Sequence, residues 1–174
     1  SYLDVVFLHD STGNEQHTAG PKVLDNNEFF TRLSQRIIHI LNTYTSAGIL
    51  YEVDMRLRPN GASGLLVSSL DAFAEYQSGS AWTWENQALV RARVVAGDPG
   101  LARQFERVRS GVLARPRDAN KLSGEVVEMR QRMRQELDKS TADQVDLKQC
   151  RGGIVDIEFM VQWATLLWSN DHSE

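Results

Sequence analysis

Short apolar runs give way to helical spacing at about residue 70. Residues 3–8 (LDVVFL) are rich in β-branched and aromatic side chains and precede a polar stretch, which predicts a buried strand. Residues 9–27 hold Gly13, Gly20, Pro21 and many polar side chains and read as a long loop. Loops of that length in compact domains are often functional. Phe29, Leu33, Ile37, Ile40 and Leu41 recur at helical spacing, predicting a helix over 28–42 with that stripe inward and Asn27 as its cap. Residues 49–57 (ILYEVDMRL) predict a second strand. Tyr51, Val53, Met55 and Leu57 point to one side, and Glu52, Asp54 and Arg56 to the other. Pro59, Asn60 and Gly61 turn the chain into a short strand at 65–67.

Helices dominate the rest. Ser68 with Asp71 has the form of a capping box. A helix over 82–96 ends at Gly97, and Asp98-Pro99 starts another that Pro116 ends. Residues 122–137 form a charged amphipathic helix with Val126, Met129, Met133 and Leu137 inward. Gly152-Gly153 precedes a helix over 154–168, apolar on most sides and therefore expected to be buried. The fold class expected is α+β: a small β-sheet with helices over 1–70, then an all-helical bundle over 71–174. Both ends of the chain read as cut, so a longer parent polypeptide is expected.

Composition narrows the class. Hydrophobic residues at 41% and charged residues at 24% give the balance of a globular domain. A net charge of −4 supplies no basic field for nucleic acid or an anionic membrane. No apolar run approaches the roughly 20 residues that span a bilayer. Cys150 is the sole cysteine, so no internal disulfide forms and a reducing cytoplasm is expected. One cysteine and four scattered histidines argue against a structural zinc site.

The chemistry lies in two aspartates set in apolar strands. Asp4 interrupts Leu3-Asp4-Val5-Val6, and Asp54 interrupts Glu52-Val53-Asp54-Met55. An ionised carboxylate there is costly unless it is paired or binds a metal. Mg²⁺ takes hard oxygen ligands, commonly one or two carboxylates plus substrate phosphates. Arg56, and Arg58 two residues later, are expected on the strand face of Asp54. They could form a salt-bridged sheet face or grip a triphosphate, and spacing alone leaves both open.

Residues 3–10 (LDVVFLHD) look like the second half of the nucleotidyltransferase-superfamily signature, Gly-Ser, a spacer, then Asp-x-Asp. Residues 51–59 (YEVDMRLRP) with 61–69 (GASGLLVSS), 82–93 (WTWENQALVRAR) and 152–159 (GGIVDIEF) resemble the glutamine synthetase adenylyltransferase family. The likeness runs from about residue 3 to about 168. Its wording is closer to the C-terminal, adenylylating half of that two-headed family than to the half that removes AMP. The resemblance implies transfer of AMP from ATP to a tyrosine of glutamine synthetase, with a PII signalling protein as a regulator. It implies Asp4 and Asp54 as catalytic magnesium ligands and Arg56 and Arg58 as phosphate contacts. The first aspartate of Asp-x-Asp would stand at position 2, where this chain has Tyr2. A phenol is no hard anionic ligand at neutral pH. The chain as it stands is therefore expected to be inactive or impaired.

Two other readings remain: a uridylyltransferase of the same superfamily acting on a PII-type protein, and a degenerate binding domain, which Tyr2 favours. The remaining conspicuous residues read as structural. Trp82 and Trp84 are expected to anchor the helical core. Glu85, Arg91 and Arg93 suit surface pairing as well as an active site. Asp156 and Glu158 suit a helix start. Gly152-Gly153 suits a chain reversal, and His9 a structural place.

Overall fold

A computed structural model describes residues 2–11, 16–49 and 51–171; Gly13 and Leu50, which belong to the predicted loop and strand, lie outside them. The order is β1 (Tyr2–Asp4), β2 (Phe7–His9), α1 (Asn26–Asn42), β3 (Glu52–Asp54), a 3₁₀ turn (Gly61–Ser63), β4 (Val67–Ser69), α2 (Leu70–Gly79), α3 (Thr83–Leu89), α4 (Pro99–Leu113), α5 (Ala119–Leu137) and α6 (Ile154–Trp168). This is the mixed composition expected of an α+β chain. The chain divides into two compact units, one of Ser1–Ser80 with Asp98–Gln104 and one of Ala81–Gly97 with Phe105–Glu174.

In the first unit β1 pairs with β3 and β2 with β4, both parallel. Parallel neighbours need a crossover, and α1 lies in the connection from the first pair of strands to the second. The single strand predicted over 3–8 is broken at Val5-Val6, where the Val5 amide donates to the Asp54 carbonyl at 2.9 Å. The strand predicted over 49–57 is only three residues long. Asp54 Oδ1 accepts the Arg56 backbone N–H at 2.8 Å, an Asx-turn that ends the strand at Asp54. Arg56 and Arg58 therefore lie in the following turn and not on the strand face.

Helix α1 is capped by Asp25 rather than Asn27: its Oδ1 accepts from the amides of Asn27 at 2.8 Å and Glu28 at 3.3 Å. Its inward face is also rotated from the predicted one. Phe30 stacks on His9 with ring centroids 5.2 Å apart, and Ser34 is buried, while Phe29, Leu33 and Ile40 are exposed. Ser69, not Ser68, caps α2 by accepting the Ala72 amide at 3.2 Å. Leu70, Phe73 and Gln77 of α2 are buried with Val67, so this helix belongs to the core of the first unit. At the start of α4, Asp98 accepts the amides of Gly100 at 2.7 Å and Leu101 at 3.0 Å, the cap expected before Pro99.

In the second unit α3 stops at Leu89, well short of Gly97. Arg109 caps this end: its Nε donates to the Leu89 carbonyl at 2.7 Å and an Nη to that of Val90 at 2.9 Å. A cation at a helix C-terminus completes the exposed carbonyls and favours the dipole. Helix α5 starts three residues early because Asp118 accepts the Lys121 amide at 2.7 Å. It buries Leu122, Val126 and Arg130, and Leu137 is exposed instead of inward. Helix α6 has the predicted bounds but is not buried all round. Val155, Gln162 and Leu166 face inward against α3 and α5, whereas Ile154, Ile157, Met160, Val161 and Trp168 are exposed. Trp82 is exposed too and anchors no core; Trp84 is half-buried. Among the described residues no helix is long and apolar enough to cross a membrane.

Candidate active site

Two short parallel strands place the carboxylates. In the β1–β3 register Leu3 stands beside Val53 and Asp4 beside Asp54. Parallel partners in register present their side chains to one face, and neighbouring strands are ~4.8 Å apart. Asp4 and Asp54 thus emerge side by side from separate strands. Asp4 is exposed, and the Asp54 side chain keeps 11% of its accessible surface. Among the described residues no group of three or more histidine, cysteine or acidic side chains is gathered in a metal-binding arrangement. A pair of carboxylates could hold a hard cation only if its remaining oxygens came from phosphate and water.

Arg56 folds back onto Asp54. Its Nε lies 3.1 and 2.8 Å from the two carboxylate oxygens, and an Nη lies 2.6 Å from Oδ2. The hydrogen bond from this guanidinium is the largest influence on Asp54. With the Arg56 amide and the charges of Arg56 and Arg58, it outweighs burial and holds the carboxyl below its ordinary range. The Arg56 side chain itself is 80% exposed.

Arg58 is engaged differently. Its three nitrogens donate to backbone carbonyls of Met55, Ala62 and Gly64, at 2.7, 3.1 and 3.4 Å. The expected second phosphate-gripping arginine is thus a member of the turn that follows Asp54. His9, at the end of β2, is buried; its Nδ1 accepts the Ser11 amide at 3.1 Å, in keeping with a structural place.

The helical unit holds a polar network that sequence reasoning reduced to helix-end stabilisation. Asp156 accepts from Arg130 Nε at 2.6 Å, from Arg134 at 2.9 and 3.0 Å, and from the Gly152 amide at 2.6 Å. Burial pushes this carboxyl up, but the Gly152 amide and the two guanidiniums together hold it below its ordinary value. Arg130 also reaches the Gln149 carbonyl at 2.8 Å, so one carboxylate ties the glycine turn to α5. Glu158 pairs with Arg91 at 3.0 Å, and Glu85 is buried with its carboxylate accepting the Trp82 amide at 2.9 Å. A hint of this network was present: Arg130 and Arg134 are one helical turn apart and Asp156 opens a helix, but nothing local pairs them.

Comparison with known proteins agrees with the motif reading. The family model described as glutamate-ammonia ligase adenylyltransferase matches residues 1–108, and that of GlnD PII-uridylyltransferase matches residues 120–172. The bifunctional glutamine synthetase adenylyltransferase/adenylyl-removing enzyme of Thioalkalivibrio sulfidiphilus is 59% identical over 99% of this chain, which covers 18% of that enzyme. The enzymes of the same name from Pseudomonas syringae and Hahella chejuensis are 55% and 54% identical over 99% and 100% of the chain. The chain spans about a fifth of the length of these relatives, 19% and 18% for the latter two. With more than half its length matched by the first family model, this chain belongs to the glutamate-ammonia ligase adenylyltransferase family.

Proposed function

We propose that the chain carries part of a magnesium-dependent nucleotidyltransferase site that moves AMP from ATP onto a tyrosine hydroxyl of glutamine synthetase. The observation that carries this reading is the register of Asp4 beside Asp54 on parallel strands. Asp4 and Asp54 would hold the cation, which when bound would neutralise charge on the phosphates and the leaving pyrophosphate. Arg56, lying on Asp54 and mostly exposed, would turn to the triphosphate as the cation takes the carboxylate. The chain's own contribution is to fix oxygen and guanidinium positions on rigid elements, so that the α-phosphorus and the tyrosine oxygen meet in line. Preorganised electrostatic contacts of this kind are each worth roughly 3–4 kcal/mol in the transition state. A PII-type protein would regulate the reaction, and a cytoplasmic location fits substrates of this kind.

Tyr2 stands where a third carboxylate belongs, so the chain alone should transfer AMP poorly. The test is labelling of glutamine synthetase with radioactive ATP and magnesium. The Tyr2→Asp variant, carried in a chain to which a preceding Gly-Ser turn is added, should label; the 174-residue chain should not. Undiminished labelling by the unaltered chain would remove the basis for the ligand assignment.

The match of residues 120–172 to the PII-uridylyltransferase model supports a second reading, transfer of UMP to a PII-type protein. Radioactive UTP offered with such a protein separates the two. Labelling from UTP in preference to ATP would favour the uridylyltransferase. Magnesium-dependent ATP binding that is equal in wild type and Asp54→Asn, or missing from both, would instead favour a degenerate binding domain.

A further inference from the structure

We infer that Arg58 is a positioning residue that shapes the turn behind Asp54, not a phosphate contact; this rests on the divalent-cation reading proposed above. Its planar guanidinium joins the Met55 carbonyl at 2.7 Å, directly after Asp54, to those of Ala62 at 3.1 Å and Gly64 at 3.4 Å at the far end of the turn. The backbone between them is sharply turned. Asn60 and Gly61 have φ of 60° and 54°, in the left-handed region. Gly64 passes so close to Pro59 that a Cβ would lie 1.8 Å from the Pro59 carbonyl oxygen. A turn of this kind persists only where its surroundings over-determine it. Inside it, four backbone hydrogen bonds run from Arg58 to Met55 at 3.3 Å, Gly61 to Arg58 at 2.8 Å, Ser63 to Asn60 at 3.2 Å and Gly64 to Gly61 at 3.2 Å, and the Arg58 side chain adds the three that join its two ends.

The turn is continuous with the candidate cation site. Met55, whose carbonyl Arg58 holds, is the residue spanned by the Asx-turn in which Asp54 Oδ1 takes the Arg56 amide at 2.8 Å. Carboxylate direction and turn shape are therefore set together. Lysine cannot replace this arrangement, because an ammonium is a point charge without a planar fork.

Charge and geometry predict opposite signs here. Deleting a cation close to cation-binding carboxylates should tighten cation binding. Deleting a brace that aims one of them should weaken it. Mn²⁺ titration of the 174-residue chain, read by electron paramagnetic resonance of the free ion, distinguishes these. Arg58→Met and Arg58→Lys should each weaken Mn²⁺ binding by about fivefold or more, and amides 62–65 should exchange hydrogen faster. Arg56→Met should tighten binding, because that guanidinium covers the carboxylate. Tighter binding in Arg58→Met, or wild-type binding and exchange in Arg58→Lys, would overturn the inference. If circular dichroism shows Arg58→Met unfolded, the lysine variant decides. Asp54→Asn is the control on the underlying reading. Unchanged Mn²⁺ binding there sinks the cation site itself, whereas its loss together with unaffected Arg58 variants sinks only the role of Arg58.

Discussion

Asp4 and Asp54 sit at the same register position of neighbouring parallel strands, and Arg56 lies on the Asp54 carboxylate. Two anions side by side repel unless a cation lies between or beside them. In this chain the Arg56 guanidinium lies on Asp54, and the proposed function places magnesium at the pair.

Position 2 lies two residues before Asp4, where the Asp-x-Asp signature calls for its first aspartate. Tyr2→Asp should add a third oxygen ligand and tighten magnesium-dependent ATP binding by about tenfold, or ~1.4 kcal/mol. Calorimetric titration of ATP at fixed magnesium measures this, and the gain should vanish with EDTA.

Gly64 has no room for a side chain against Pro59. Gly64→Ala should strain or displace the turn, costing about 1–3 kcal/mol of stability. Urea unfolding gives the stability, and Mn²⁺ affinity should fall in the same variant because the turn carries the Asp54 carboxylate.

Asp156 is the common partner of Arg130 and Arg134, and the Arg130 side chain is only 7% exposed. Asp156→Ala should cost about 3 kcal/mol, because a buried guanidinium loses its counter-charge. The loss should appear in the unfolding of residues 105–171, followed by amide exchange in α5 and α6.

The same carboxyl gives a pH dependence. Its pKa in the folded chain lies below the ordinary 3.8, so the unfolded state binds the proton more readily. Its contribution to stability is present above that ordinary value and is lost as pH falls through the folded value. Thermal unfolding of wild type should thus be less stable below about pH 4 than at pH 6. The acid-induced part of that loss should shrink in Asp156→Asn.

Much of this was legible in the sequence, for identifiable reasons. The two aspartates stand out because ionised side chains in apolar strands need a partner. The bounds of α6 and the Asp98 cap follow from local spacing and turn chemistry. What failed depends on contacts local pattern does not carry. The strand at 49–57 was overestimated because the carboxylate marked as a ligand also takes an amide two residues on and ends the strand. The inward face of α1 turned because Phe30 stacks on His9, twenty-one residues earlier. Helix α3 ends at a carbonyl taken by Arg109, twenty residues beyond Leu89. The apolar circumference of α6 suggested burial, but only one side of it meets α3 and α5.

The most direct test of the paired-carboxylate site is a magnesium-dependent ATP titration of the wild-type chain beside Asp4→Asn and Asp54→Asn, with folding checked by circular dichroism. Either amide should weaken Mg·ATP binding at least tenfold, and leave the weak magnesium-free binding within about twofold. Wild-type affinity in both variants would mean that the carboxylates on β1 and β3 hold no cation together.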